Sequence, residues 1–341
     1  MSEKKEKMVF DAAYQPQVRT KRDTKSIMID VMIALVPSLG VAVWQFGAEC
    51  LIPVFTSMAA CVLFEWLYRK FMKKDCTVGD CSALVTGLLL ACVLPAGTKW
   101  WIPVVGALFA IVVVKQLYGG IGKNFLNPAL AGRAFLLASY PLFMSTWQVP
   151  NSLKGAVDGL TMATPLSYLY SGAEMPGYLS FRSLLIGTVP GCLGELSAIA
   201  LLAGGIYLLA RKVITWRIPV AFIGTVAVLT LIFGHEGYSN VDWMVYNLLS
   251  GGLLLGAIFM ATDYVTSPVT GGAQLIYGFG CGALTVLIRY FGGFPEGGSY
   301  AILIMNLCSW ALDKNFRRPQ FGVTKEDLKA AKEAKKKAKE G

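Results

Sequence analysis

Leu84-Val-Thr-Gly-Leu-Leu-Leu-Ala-Cys-Val-Leu94 is matched, in the second half of the chain, by Leu249-Ser-Gly-Gly-Leu-Leu-Leu-Gly-Ala-Ile-Phe259. Tyr118-Gly-Gly120 is likewise matched by Phe291-Gly-Gly293, and each match is followed by a polar loop and another apolar segment. The two long stretches belong to the third and the eighth apolar segments, which cross a membrane in opposite directions. An odd number of spans per repeat forces that inversion. The sequence therefore predicts an all-α membrane protein built from two inverted five-helix repeats.

Composition supports the membrane class. The 341 residues are 55% hydrophobic and 15% charged, with a mean hydropathy of +0.55, whereas a soluble domain carries about 25% charged residues. Segments long enough, or nearly so, to cross about 30 Å of hydrocarbon lie at 27–46, 51–68, 82–96, 101–118, 132–145, 194–211, 218–234, 244–262, 271–291 and 299–313. About ten transmembrane helices are therefore expected.

Some of these segments are too short for a simple span. We expect 82–96, 132–145 and 299–313 to be broken or tilted, and 182–193 to be an interfacial or re-entrant piece. The predicted organisation, in order, is an N-terminal segment, a first five-helix repeat, a hydrophilic loop, a second five-helix repeat and a basic tail. Their ranges are 1–25, 26–145, 146–181, 182–313 and 314–341.

The distribution of basic residues predicts the orientation. With both termini in the cytoplasm, 27 of the 31 Lys and Arg residues lie on that side, as the positive-inside rule requires. The 146–181 loop then faces outward. The Lys-rich tail contributes to the net charge of +10 and is expected to lie against anionic lipid headgroups. Nucleic-acid binding is not expected, because no base-reading element accompanies the charge.

Metal and hydrolytic chemistry find little support in the residues. Most of the eight cysteines are scattered through apolar segments, and only Cys76 and Cys81 lie close together outside a span. Two thiols do not complete a zinc or iron–sulfur site, which needs about four ligands. The single histidine, His235, has no partner histidine. No metal site and no catalytic Ser/His/Asp set are therefore predicted.

The 146–181 loop carries Asp158-Gly-Leu-Thr-Met-Ala-Thr-Pro165. Pro165 keeps Thr164 extended, which would present the threonine hydroxyl to chemistry outside the chain. Thr and Asp also favour turns and helix starts, so a turn with a capped helix start is the alternative interpretation. The local residues leave both interpretations open.

Ionisable residues near or inside spans carry a functional hypothesis. They are Asp30, Glu65, Lys115, Asp263, Arg289 and Asp313. Asp263 and Arg289 are expected to act in function, whereas Glu65, which a basic flank follows, is expected to be structural. An ion path is predicted between the halves, near 82–96 and 249–260. The glycines there let backbones approach closely, although plain helix packing explains them equally well.

Five motifs in order resemble the D subunits of the Rnf complex, a membrane ferredoxin:NAD oxidoreductase. More distantly they are similar to the B subunits of the sodium-pumping NADH:quinone oxidoreductase. The motifs are Gln15-Pro-Gln-Val-Arg-Thr20, Asn124-Phe-Leu-Asn-Pro-Ala129, Asp158–Pro165, Ala261-Thr-Asp-Tyr-Val-Thr-Ser-Pro268, and Phe294-Pro-Glu-Gly297 running into Ala301-Ile-Leu-Ile-Met-Asn306. The resemblance covers about residues 15–315.

The resemblance implies a flavoprotein. In that family FMN is joined through its phosphate to a threonine, by a flavin transferase that acts outside the cytoplasm. Thr164 matches the acceptor, and Asp158, Thr161 and Ala163 match its neighbours. Met162 departs from the family's usual Gly, and Gln17 stands where a His is common. A bulkier Met162 side chain must then fit the transferase cleft.

The implied function is an electron relay within a complex that couples electron transfer to Na+ or H+ movement across a bacterial or archaeal cytoplasmic membrane. Its implied partners are flavin and iron–sulfur subunits. Candidates for an ion path or for a second, non-covalent flavin are Asn124, Asn127, Asp263, Arg289 and Glu296. Two alternatives remain: a secondary transporter or channel, since inverted repeats also build such folds, and a passive membrane scaffold without flavin.

Overall fold

The computed structural model of the chain describes residues 23–154, 161–171, 176–177, 179–235, 237–292 and 296–316. Within these ranges the chain is mostly helical and forms no strand, only two isolated β-bridges. The Gln15–Thr20 motif, Asp158, residues 293–295 and the basic tail from residue 317 lie outside the described residues.

The helices follow the predicted apolar segments. Those before the hydrophilic loop are α1 Thr24–Phe46, α2 Leu51–Phe71, α3 Ser82–Cys92, α4 Trp101–Leu108, which continues as a π-helix Phe109–Gln116, α5 Pro128–Ser139 and α6 Pro141–Met144. The later ones are α7 Pro165–Ser171, α8 Phe181–Ile186, α9 Ala198–Ala210, α10 Arg217–Phe233, α11 Asn240–Leu249, α12 Leu253–Leu255, which continues as a π-helix Gly256–Met260, α13 Gly271–Phe291 and α14 Gly298–Asn315.

By length and composition, three of the described helices could each cross a membrane alone: Thr24–Phe46, Ala48–Phe71 and Gly271–Phe291. Asn240–Leu249 and Leu253–Met260, bent by 59° at their junction, form a fourth candidate together. The apolar helices α3, α4, α9 and α10 are shorter. Every predicted segment contains a helix, and 299–313, expected to be broken or tilted, lies within one unbroken helix, α14.

Two breaks bring irregular backbone into the core. The first follows α3, where Leu193 N–H donates to Leu94 O at 3.1 Å and Gly194 N–H donates to Cys92 O at 2.8 Å. The second separates α11 from α12, where Gly251 and Gly252 have φ of +70° and +65°. That left-handed backbone favours glycine. Buried backbone away from water must find internal partners, and the first break finds them in the segment before α9.

The two predicted halves meet at these breaks. A Cβ added to Gly194 would lie 2.5 Å from Cys92 Cβ and 3.1 Å from Leu255 Cδ2. The Asn127 side-chain amide, at the start of α5, donates to Met260 O at the end of the second π-helix, at 3.2 Å. One residue from each of the two matched stretches, Cys92 and Leu255, therefore lies close to Gly194.

Candidate functional site

Thr164 caps the start of α7. Its hydroxyl oxygen lies 3.0 Å from Ser167 Oγ and accepts the Ser167 backbone N–H at 3.3 Å, which is the geometry of a helix N-cap. The capped-helix interpretation is therefore confirmed. The expectation of a presented hydroxyl is wrong for this conformation, because only 4% of Thr164 is exposed. Its burial follows from α7, whose Leu166 and Leu169 are fully buried.

The neighbours of Thr164 are held less tightly. Thr161 and Ala163 are exposed. Thr161 pairs with Gln148 in an isolated antiparallel bridge, and Met162 N–H donates to Trp147 O at 3.1 Å. Asp158 lies outside the described residues. The structure therefore describes three of the four residues predicted at the attachment site, and these three lie together. Thr164 is buried, whereas Thr161 is exposed.

Helix α7 rests on an aromatic and polar layer formed by α11 and α13. Tyr170 Oη donates to Asn247 Oδ1 at 2.8 Å, and the Tyr170 ring meets Trp243 edge-on at 5.1 Å between centroids. Trp243 is completely buried, and its indole N–H donates to Tyr290 Oη at 2.6 Å. The segment that carries Thr164 is therefore tied to the helix pair next to the second break.

Arg289 holds that break together. Its Nη1 donates to Asn247 O at 2.7 Å and to Asn247 Oδ1 at 3.1 Å, and its Nη2 donates to Ser250 O at 3.2 Å. These carbonyls belong to the end of α11, where a helix leaves acceptors unsatisfied and favours a cation. The side chain is 2% exposed. Arg289 therefore stabilises the broken helix from α13.

Charged residues from both halves meet beside Gly252. Arg133 Nη2 lies 2.5 Å from Glu296 Oε2, which joins α5 to the segment before α14. Glu195 accepts the Cys192 N–H at 2.8 Å, and its other oxygen lies 2.5 Å from where a Gly252 Cβ would stand. Arg133, Glu195 and Glu296, here called the midchain cluster, border a small cavity of about 20 Å³. That volume is enough for about one water molecule.

The midchain cluster adds a residue to those that the sequence singles out. Arg133, which the predicted segment 132–145 includes, lies buried in the second turn of α5. Glu195 is not among the residues that the sequence singles out. Its signal is an acidic residue inside an apolar stretch, flanked by Gly191 and Gly194, and such residues default to a functional hypothesis in membranes. Cys192, Glu195 and Glu296 also offer three ligand atoms within 4.8 Å of one another.

A larger cavity of about 370 Å³ lies near residues that the distribution of basic residues places on the cytoplasmic side. Its polar lining comprises Thr24, Ser82, Thr86, Lys115, Asn124, Asn127, Thr262 and Asp263, and the remainder is mainly aliphatic. A largely apolar pocket of this size with a few convergent polar groups is typical of cofactor sites. Asn124, Asn127 and Asp263 are brought together here, whereas Arg289 and Glu296 belong to the region of the midchain cluster.

The polar residues of the large cavity are held in place by local hydrogen bonds. Asn127 accepts from Ala129 N–H at 3.0 Å and so caps α5. Asp263 Oδ2 accepts from Thr266 Oγ1 at 3.0 Å. Burial raises the pKa of the Asp263 carboxyl, and the hydrogen bond from Thr266 opposes that rise. Glu65, expected to be structural, forms a buried ion pair with Lys115, with Nζ and Oε2 2.8 Å apart.

Comparison with known proteins adds a separate line of information. The NQR2, RnfD, RnfE family model matches residues 11–322. The D subunit of the Na+-translocating ferredoxin:NAD+ oxidoreductase complex of Acetobacterium woodii is 47% identical over 313 residues, covering 91% of this chain and 94% of the relative. The D subunit of the proton-translocating ferredoxin:NAD+ oxidoreductase complex of Clostridium ljungdahlii is 39% identical over 328 residues, with 93% and 97% covered. The D subunit of the ion-translocating oxidoreductase complex of Escherichia coli is 34% identical, with 93% and 100% covered.

Proposed function

The chain belongs to the NQR2, RnfD, RnfE family, and from that premise we propose that it is the D subunit of an ion-translocating ferredoxin:NAD oxidoreductase complex. Within that complex it relays electrons through FMN joined covalently to Thr164. The bound flavin supplies one-electron chemistry, while the protein supplies position and electrostatics. The subunit sits in the cytoplasmic membrane with both termini inside, as ten spans in two inverted halves, and works with flavin and iron–sulfur subunits.

The observation that carries the proposal is the position of Thr164. It ends the Asp-x-x-Thr-x-Ala-Thr pattern of the predicted outer loop, and its oxygen already faces Ser167 Oγ and the Ser167 N–H. Both are donors that a phosphoester at this oxygen could use. Thr161 offers a hydroxyl as well, but it pairs with Gln148 rather than with the start of a helix.

Burial of Thr164 bears on maturation. A transferase cannot reach a hydroxyl that is 4% exposed and bonded to Ser167. The flavin is therefore attached either before α7 docks on α11 or while the start of α7 is open. The short length of α7, seven residues, favours such opening, because isolated short helices are marginal in water.

The midchain cluster is the proposed ion path. Glu296, Arg133 and Glu195 lie where the halves meet and border the 20 Å³ cavity, and Arg289 holds the adjacent break. Ionisable groups kept inside a membrane protein usually mark an ion or proton route. Whether Na+ or H+ moves, we propose that it crosses between the halves at Gly251 and Gly252.

The 370 Å³ cavity is the proposed site of a second, non-covalent flavin. Asn124, Asn127 and Asp263 supply amide and carboxylate groups on its wall, which suit the polar edge of an isoalloxazine ring. The aliphatic lining suits its apolar edge. Lys115, the one cation on this wall among the described residues, is neutralised by Glu65.

The attachment is tested by peptide mass spectrometry and in-gel flavin fluorescence. The chain is expressed with the flavin transferase, and Thr164→Val is compared with Thr161→Val as the matched control. We expect the Thr164→Val protein to fold and lose its fluorescence, because Val keeps the β-branched shape without the oxygen, and the Thr161→Val protein to keep it. FMN on Thr161, or persistence in Thr164→Val, would refute the assignment. A wild-type band without flavin would favour the transporter or scaffold alternatives.

A further inference from the structure

A continuous hydrogen-bonded chain leads away from the wall of the large cavity. Lys115, 3% exposed in the π-helical part of α4, donates from Nζ to Ser82 Oγ at 2.6 Å. Ser82 Oγ donates in turn to Asp80 Oδ1 at 2.6 Å. Lys115 and Ser82 both line the cavity. Asp80 does not line it, because it lies in the turn before α3 and is partly exposed.

A second branch reaches the same turn. Lys115 Nζ lies 2.8 Å from Glu65 Oε2, and Glu65 Oε1 accepts from Thr77 Oγ1 at 2.8 Å. Thr77 is also partly exposed. Residues 72–81 form the connection between α2 and α3, on the predicted cytoplasmic side. The cavity wall is therefore joined to that surface by hydrogen bonds between titratable and hydroxyl groups.

Stability alone does not explain this arrangement. A buried ion pair is weak evidence for stabilisation, because apolar side chains of similar volume are often equally stable in its place. A local π-helical stretch, such as the one that carries Lys115, often marks a functional position. The hydrogen-bonded chain also places Lys115, a cation that can release a proton, against the cavity. Its acidic end, Asp80, lies at the surface. That order is what proton delivery requires.

We propose that Lys115 protonates the flavin held in the large cavity and is reprotonated from the cytoplasm through Ser82 and Asp80. The proposal rests on the second flavin site of the proposed function. As one electron reaches the cavity from a neighbouring redox centre of the complex, an N–H bond of Lys115 breaks and an N–H bond forms on a ring nitrogen. Lys115 Nζ then takes the Ser82 hydroxyl proton as Ser82 takes one from Asp80, so that no alkoxide is left. The proton reaches Asp80 from a hydronium ion of the cytoplasm, which becomes water.

The balance is one electron and one proton into the cavity for each step, with no other group oxidised. Glu65 keeps Lys115 oriented through the 2.8 Å contact between Oε2 and Nζ. Among the described residues, the other charged groups that face Lys115 are Asp80, through Ser82, and Asp263, on the same cavity wall. Because Asp80 also accepts the Ser82 backbone N–H at 2.8 Å, an amide at residue 80 preserves the turn while it cannot pass a proton.

The test measures proton uptake by the full purified chain with its dissociable flavin. Pre-reduced methyl viologen, which donates one electron and no proton, is mixed in a stopped-flow instrument with a pH-indicator dye present. Asp80→Asn and Ser82→Ala interrupt the chain, and Ser82→Thr restores the hydroxyl. Asp75→Asn is the matched control. Asp75 is an exposed acid of the same connection, and its carboxylate is not part of the hydrogen-bonded chain.

We expect proton uptake to slow at least tenfold in Asp80→Asn and Ser82→Ala, and to stay within twofold of the wild type in Ser82→Thr and Asp75→Asn. Flavin content and flavin absorbance should be the same in all five proteins. If the hydrogen-bonded chain had a purely structural role, slow proton uptake would instead be accompanied by a change in flavin content or absorbance. Unchanged uptake in Asp80→Asn and Ser82→Ala, with flavin bound, would overturn the proton route alone. A wild-type chain without a dissociable flavin would overturn the second flavin site and the proton route with it.

Discussion

Neutralising Glu65 should destabilise the fold far more than neutralising an exposed acid. The Lys115 and Glu65 side chains are 4% and 1% exposed, with Nζ and Oε2 2.8 Å apart. At an effective dielectric constant of about 20, unit charges at that distance attract by about 6 kcal/mol. Part of this offsets desolvation, so removing one partner of a buried pair costs about 3–5 kcal/mol. We therefore expect Glu65→Gln to lower the free energy of unfolding by about 3–5 kcal/mol.

The measurement is equilibrium unfolding in mixed micelles, arranged as a double-mutant cycle. Lys115→Met should cost a similar amount, and Glu65→Gln with Lys115→Met should recover much of the loss, because no uncompensated charge remains. Asp75→Asn is the control, because Asp75 is exposed and exposed charges contribute about 0–1 kcal/mol. Single variants at Glu65 and Lys115 that lie within about 0.5 kcal/mol of the wild type would refute the reasoning.

Three further predictions concern two glycines and the orientation. Gly87→Ala should prevent the chain from folding, because the new Cβ would lie 2.7 Å from the backbone atom Met58 Cα. The measurement is the yield of monodisperse protein, and a normal yield would contradict this prediction. Gly252→Ala meets only the Glu195 side chain and strains a φ of +65°, so the complex should assemble and transport fewer ions per electron in vesicles; unchanged coupling would count against the ion path. Reporter fusions after residue 170 should be active only outside the cytoplasm, and cytoplasmic activity would overturn the two-half topology.

Local sequence was enough to locate the helices. Each of the ten apolar segments contains a helix, because hydropathy and helix formation act over neighbouring residues. The break at Gly251 and Gly252 was not foreseen, because 244–262 forms one continuous apolar segment and its glycines were interpreted as sites of close packing. The left-handed backbone that these glycines adopt appears only in the tertiary structure. Residues that line the large cavity were also within reach, because Asn124 and Asn127 belong to one short polar segment at the start of α5.

Pairings across the chain could not be read in advance. Arg133 and Glu296 are 163 positions apart, and Lys115 and Glu65 are 50 apart. Nothing in the local pattern of either partner identifies the other. Such contacts depend on which helix faces meet, and many packings satisfy the same hydropathy. From the sequence alone, Glu65 is therefore an acidic residue of α2 without an evident partner. The structure supplies that partner, Lys115, from the π-helical continuation of α4.

The attachment loop divides in the same way between sequence and structure. The order Asp158 to Pro165 was sufficient to single out Thr164 and to foresee a capped helix start, because capping is decided within four residues. Its exposure was decided by tertiary packing. Once Leu166 and Leu169 turn inward and Tyr170 bonds Asn247, the first residue of the turn is carried inward with them. Sequence therefore singled out Thr164 as the residue proposed for attachment, and the docking of α7 on α11 decided that its hydroxyl is covered in the folded chain.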